Sequence, residues 1–196
     1  MQLPFWIQQL ATRLFLFING AHDPIVVFIP YSVSQKFPWI PFYAWLLYIL
    51  YKTYAGKTLY FFPIIAALIA VSDQLSTLLK NTTERLRPCH DPALQELVHL
   101  VNDKCGGQFG FVSSHAANTM ALAVFILLVL PRSNKILRLE LLAFVLLNGY
   151  SRIYLGAHYP LDVLCGWALG FILAVIFSTL VRQTIKVSAK IAVTHE

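Results

Sequence analysis

Residues 151–181 read SRIYLGAHYPLDVLCGWALGFILAVIFSTLV. From Leu161 to Val181 the only charged residue is Asp162. About 20 apolar residues rising 1.5 Å each cross the hydrocarbon of a bilayer, so this stretch reads as a transmembrane helix. At its mouth stand Arg152, His158 and Asp162, where ionisable groups are costly and usually functional.

Working outward, four more apolar stretches are of crossing length or slightly shorter: Trp39 to Tyr54, Leu59 to Leu79, Ser114 to Leu130 and Ile136 to Tyr154. Leu3 to Lys36 is apolar but broken at Asn19-Gly20, His22-Asp23-Pro24 and Pro30. It is expected to form an interfacial helix over about Pro4 to Ile18, then a sixth, short or tilted span. The first residues lack a basic flank and a small-residue cleavage site, so no removable signal is expected.

Composition agrees. The chain has 196 residues, 58% hydrophobic and only 12% charged, against about a quarter charged in soluble domains. That excludes disorder, a soluble nucleic-acid binder and a secreted disulfide scaffold. The expected fold is all-α: one integral membrane helical bundle of about six transmembrane helices, spanning residues 1–196 as a single domain. Residues 81–112 form its one long polar loop. Within it, Leu94, Leu97, Val98 and Val101 follow the i, i+3, i+4, i+7 spacing of a short amphipathic helix.

Net charge is +6. Lys52, Lys57, Arg132, Lys135, Arg138, Arg182, Lys186 and Lys190 fall on one face if each stretch crosses once. The positive-inside rule makes that face cytoplasmic. The 81–112 loop is then extracytoplasmic, and the chain is expected in the inner (cytoplasmic) membrane with its polar clusters facing the periplasm or exterior.

Three clusters meet at that outer face: Lys80, Arg85, Arg87 and Pro88; Ser113, Ser114 and His115; and Ser151, Arg152, His158 and Asp162. Singly, each has a plain account. Lys80 can snorkel, Ser113 can cap a helix, and Asp162 can favour a helix dipole. Jointly they place several costly polar groups at one membrane depth, which implies a shared ligand. Lys and forked Arg donors suit phosphoryl oxygens. His158 and Asp162 are four apart, so the carboxylate can hold one imidazole nitrogen and leave the other as a nucleophile. His115 remains free to protonate a leaving oxygen.

These clusters resemble the three-part signature of the type 2 phosphatidic-acid phosphatase superfamily of membrane lipid phosphatases and vanadium haloperoxidases. The first part, Lys, six residues, then Arg-Pro, is matched by Lys80 and Arg87-Pro88. The second, Pro-Ser-Gly-His, is matched in part by Val112-Ser113-Ser114-His115. The third is matched by Ser151-Arg152, His158 and Asp162. The resemblance implies that His158 forms a phosphohistidine, that Asp162 orients it, and that His115 acts as acid and then base. It assigns the phosphate to Lys80, Arg87, Ser113, Arg152 and the backbone N–H of Ser114, with no metal and no other cofactor. Val112 and Ser114 depart from the family's Pro and Gly. Arg85 lies outside the signature and is expected to meet lipid headgroups.

The implied activity is metal-independent hydrolysis of a terminal phosphate from a membrane lipid at the outer leaflet. Undecaprenyl diphosphate is the first-choice substrate; lipid A, phosphatidylglycerophosphate and phosphatidate are alternatives. A transporter of phosphorylated compounds also uses intramembrane cations, but it has no use for a nucleophile with an orienting acid. Asp73, seven residues before Lys80, is expected on the same helix face, pointing inward to hold that helix. Cys89 and Cys105 can bridge in an oxidising compartment or remain two thiols, and Cys165 is expected to be a packing residue.

Overall fold

A computed structural model describes residues 4–21, 27–35, 37–101, 105–130 and 135–193, with side chains described as far as Arg182. Seven α-helices follow one another: α1 Phe5–Gly20, α2 Phe28–Ser34, α3 Ile40–Tyr54, α4 Phe61–Thr83, α5 Ser114–Val129, α6 Lys135–Tyr154 and α7 Pro160–Val193. No strand forms among the described residues, only an isolated antiparallel bridge between Leu86 and Phe109. The fold is the expected all-α membrane bundle, with six of these helices 15 residues or longer. Phe37–Thr83 (mean hydropathy 1.7) and Pro160–Arg182 (2.3) are long and apolar enough to cross a bilayer, and Ser114–Val129 is a shorter apolar helix. Phe17, Tyr51, Leu139 and Phe171 point outward and exposed, as a lipid-facing surface requires.

Local chemistry sets the helix ends that matter. Ser113 caps α5, its Oγ accepting from Ala116 N. Pro160 opens α7 with Asp162 in the first turn, and Pro is suited to that position because it brings no orphan N–H. The α3–α4 connection is a 3-10 stretch, Ala55–Tyr60. The tightest junction is between α5 and α7. A Cβ added at Gly170 would lie 2.2 Å from Ala117 O, and one at Gly166 2.6 Å from Ser113 O. Ala116, Ala117 and Ala121 are fully buried opposite them. Small residues thus let two membrane helices meet backbone to backbone. The main core, including Leu50, Leu68, Phe125, Leu141 and Phe144, fills the other half of the bundle.

Two expectations change. The first concerns the 81–112 loop, which holds no α-helix at Leu94–Val101: the chain makes turns, with Leu97 N and Val98 N both bonded to Leu94 O. Leu94 is buried while Leu97 is exposed, so the apolar spacing never becomes one buried face. Asn19 also captures the segment's end, accepting from His99 N (2.8 Å) and donating to His99 O (2.9 Å) and Tyr154 O (2.8 Å). The second concerns α1. Its Phe15 is fully buried and meets Tyr159 edge-on at 5.5 Å, so α1 is docked on the bundle through Phe15 and Asn19 rather than only resting at an interface. The described part of the sixth-span region is short, the seven residues of α2. Residues 22–26 and Lys36, residues 102–104 of the polar loop, and Arg132 lie outside the described residues, as do the side chains of Lys186 and Lys190.

Cys89 and Cys105 form a disulfide with Cα atoms 6.0 Å apart. Arg87 N donates to Gln108 O (3.0 Å) and Gly110 N to Arg85 O (2.8 Å). The loop is therefore tied back over the end of the bundle. Cys165 is a free, half-buried thiol.

Candidate active site

The turn between α6 and α7 presents His158. Ala157 N and His158 N both bond back to Arg152 O, and Gly156 takes a left-handed φ of 78°, the usual way a glycine ends a helix. His158 is 2% exposed. Its Nδ1 lies 3.7 Å from Asp162 Oδ2 and its Nε2 3.3 Å from Arg87 Nη1. Nδ1 is buried without a hydrogen-bond partner, the carboxylate standing just beyond bonding range. Because a guanidinium can only donate, its contact with Nε2 needs the lone pair there and so puts the proton on Nδ1. Burial pushes the imidazole down to about 4, against the opposing pull of Asp162. The ring is therefore neutral, and nucleophilic, at ordinary pH.

Asp162 is fully buried. Its Oδ1 accepts from Arg85 Nη1 at 2.5 Å and its Oδ2 from Tyr159 N at 3.0 Å. Its carbonyl accepts from Ser113 N at 3.0 Å, linking α7 to the start of α5. Arg85 is thus the ion-pair partner of the orienting acid, and its guanidinium also covers the Tyr159 ring at 4.5 Å. This corrects the expectation that Arg85 meets lipid headgroups: a carboxylate this deep needs a cation, and the nearest in sequence, Arg152, is turned elsewhere. Gly110 makes room, since a Cβ there would lie 3.1 Å from both Arg87 Cγ and Asp162 Oδ2.

In front of His158 lies a cavity of about 450 Å³ whose polar wall includes Lys80, Arg87, Ser114, His115 and Arg152. Lys80 Nζ donates to Ser114 Oγ. Arg152 Nη1 donates to Ser34 Oγ at 2.6 Å, while its Nε is buried without a partner. Arg87 is anchored by Phe109 O at 3.1 Å and Cys105 O at 3.3 Å. Three cations therefore face a chamber that no carboxylate lines among the described residues. That charge balance suits an anion with several oxygens, such as a phosphoryl group.

Six of the eight residues expected at the site line this chamber: Lys80, Arg87, Ser114, His115, Arg152 and His158. Asp162 stands behind His158. Ser113 is fully buried and engaged as the α5 cap, so Ser114 is the hydroxyl that faces the cavity. Sequence reasoning missed Ser34, whose hydroxyl holds Arg152; no motif marks it. The donor atoms of Cys89, His90 and Cys105 lie within 4.8 Å of one another, but the disulfide takes both sulfurs.

A second, largely apolar cavity of about 680 Å³ runs between α3, α4, α5 and α6, walled by residues such as Leu50, Ala66, Ile69 and Phe144. The two cavities share Ser34, Gln35, Ser114 and His115. His115 thus stands where a charged chamber opens into a greasy groove.

The sequence pattern of the PAP2 superfamily matches residues 58–186. The chain belongs to that family. Among its relatives, the lipid A 4'-phosphatase of Bacteroides thetaiotaomicron is 37% identical over 168 residues, covering 84% of this chain and 74% of that protein. The undecaprenyl-diphosphatase of Sulfolobus acidocaldarius is 32% identical over 153 residues, covering 78% and 66%. The crystal structure of Aquifex aeolicus LpxE superposes with a TM-score of 0.65 at 25% identity, covering 85% of this chain and 93% of that one. Membership makes the chain a hydrolase acting on lipid phosphates.

Proposed function

We propose that the chain removes a phosphate from a membrane lipid at the outer leaflet of the cytoplasmic membrane, through a phosphohistidine on His158. The observation that carries this is a buried, neutral His158 held between Asp162 and Arg87 at the wall of a three-cation chamber. In the first step Nε2 attacks phosphorus and the P–O bond to the lipid breaks. His115 supplies the proton that the departing oxygen needs. In the second step a water attacks the phosphohistidine, His115 takes its proton, and inorganic phosphate leaves with the imidazole restored. Lys80, Arg87 and Arg152 neutralise the oxygens in both steps, aided by Ser114 and by the α5 N-terminus that Ser113 caps. No step needs a metal. The lipid tail lies along the apolar groove while the phosphate stands in the chamber.

The greater identity and coverage of the Bacteroides lipid A 4'-phosphatase support a phosphorylated glycolipid of the lipid A kind as first substrate, ahead of undecaprenyl diphosphate. The diphosphate is the second reading, supported by the Sulfolobus relative. Replacing His158 by Ala should cut phosphate release by roughly 10⁴-fold or more, while the melting temperature in detergent stays near wild type. An acid-labile phosphoryl adduct should form on the wild type alone. Near-normal turnover by the variant would reject the nucleophile assignment.

A further inference from the structure

Among the described residues, Asp73 is the one carboxylate that lines the groove. It sits on α4, exposed to that space, and its Oδ1 accepts from Asn118 Nδ2 at 2.9 Å. An ionised carboxylate offers about four acceptor sites, and a charge among apolar walls at membrane depth is costly even with the Lys80 cation in electrostatic reach. A clamp built only to hold α4 to α5 would satisfy its own atoms, yet Asn118 Oδ1 is buried with no partner. The pair thus has acceptor capacity to spare and no protein donor for it among the described residues.

Its position is equally informative. Asn118 lies four residues beyond Ser114 on α5, roughly 6 Å along the axis and on the same face. Asp73 lies two turns before Lys80 on α4. The pair therefore stands in the groove beyond the phosphate chamber, roughly 6 to 10 Å along the helix axes from Ser114 and Lys80.

We infer that Asp73, oriented by Asn118, accepts a hydrogen bond from a hydroxyl or amide N–H next to the phosphate-bearing end of the lipid. The site thereby selects donor-bearing lipid phosphates over those whose tails begin with esters or plain hydrocarbon. This rests on the phosphatase reading above and sharpens its substrate class. An amino-sugar lipid with N-linked acyl chains offers such donors; a prenyl diphosphate offers none along its tail.

Two commercial monophosphates with paired chains make the test. Ceramide 1-phosphate carries an amide N–H and a hydroxyl near its phosphate, and phosphatidate carries only esters there. The readout is the ratio of kcat/KM for the first over the second, in mixed micelles. Asp73→Ala should lower that ratio by about tenfold, the size expected for losing a hydrogen bond to a charged group. Asn118→Leu should lower it less. The isosteric Asp73→Asn carries the same comparison if Asp73→Ala does not accumulate. A ratio that stays at the wild-type value overturns the inference, whatever happens to each rate alone, because a merely structural clamp would depress both lipids alike. A wild type that releases phosphate from lipid A but from neither of these two lipids overturns the inference alone; a wild type inert on all three overturns the phosphatase reading.

Discussion

The α5–α7 seam and the α3–α4 wall are built on opposite plans. At the seam, Gly166 and Gly170 meet Ala116, Ala117 and Ala121 so closely that no further atom fits. There the Ser113 N–H also reaches the Asp162 carbonyl. Along the wall, α3 buries Leu46 and Leu50 but leaves Trp45, Leu47, Tyr48 and Tyr51 exposed, and a cavity of about 680 Å³ opens between α3, α4, α5 and α6 even though Phe42 still packs on Phe144. The reacting imidazole, its acid and that acid's cation all belong to the packed side. The open side carries mostly apolar surface, with the Asp73–Asn118 pair in its wall. Chemistry that depends on a few tenths of an ångström is supported by rigid contacts, whereas a groove for a fluid chain needs only width.

The sharpest way to break that contrast is to force the seam. Gly170→Leu puts a branched side chain where even a Cβ meets Ala117 O at 2.2 Å. Overpacking of this kind costs about 1–3 kcal/mol or more. The variant should lose most folded protein in detergent, read by size-exclusion recovery and melting temperature. A well-folded, active Gly170→Leu would show that the seam yields and that the site does not depend on it.

Next in size is Arg85. Removing it leaves Asp162 fully buried without its ion-pair partner, and breaking such a pair typically costs 3–5 kcal/mol. Arg85→Ala should therefore reduce kcat by roughly 10²-fold or more, a loss of 1.4 kcal/mol per factor of ten. Arg85→Lys should recover part of it, because one donor can still reach the carboxylate. The fall should appear in kcat rather than KM, since Arg85 acts through Asp162 and does not line the phosphate chamber. A pure KM effect would return Arg85 to the role of a headgroup contact.

Arg85 also shows where sequence reading stops. The apolar stretches made the bundle legible from hydropathy alone, and Lys80, Arg87, Arg152, the two histidines and Asp162 stood out because a bilayer penalises such groups. Arg85 carried the same signal. Lying outside the signature, it reads as a headgroup contact, because no local spacing says that Arg85 turns to Asp162 while Arg87 lines the chamber; the Arg85–Gly110 backbone bond and the Gly110 clearance decide that. The same limit applies to Leu94–Val101. Its helical spacing is real, but Asn19, some 80 residues away, claims the His99 amide and carbonyl. Long-range capture of a backbone group leaves no local trace.

The wall should respond more mildly than the seam. Ala66 is exposed to the groove, so Ala66→Trp fills space there without displacing core residues. The ratio of kcat/KM on a long-chain lipid phosphate to that on a short soluble phosphate ester should fall about tenfold, the range a pocket of changed shape commands. The melting temperature should barely move. Equal effects on both substrates would place the tail somewhere other than this groove.

The smallest effect concerns pH, and it tests the dryness of the packed side. Burial lowers His158 to about 4, whereas an unperturbed imidazole titrates near 6.5. At pH 5.5 an ordinary histidine would be only about a tenth neutral, costing close to tenfold in rate. His158 should remain neutral there. Once ionisation of the substrate's own phosphate and of the proton donor His115 is divided out, kcat/KM should change by less than about twofold between pH 7.5 and 5.5, with the acid limb appearing near 4. Stability carries the matching sign. With the folded pKa depressed, the unfolded chain binds the extra proton first as pH falls through 6.5, so His158 makes the melting temperature drop progressively from there toward pH 4. A limb near 6.5 would mean that water reaches the imidazole in the resting enzyme, and the contrast between a dry seam and an open wall would fail at the atom where it matters most.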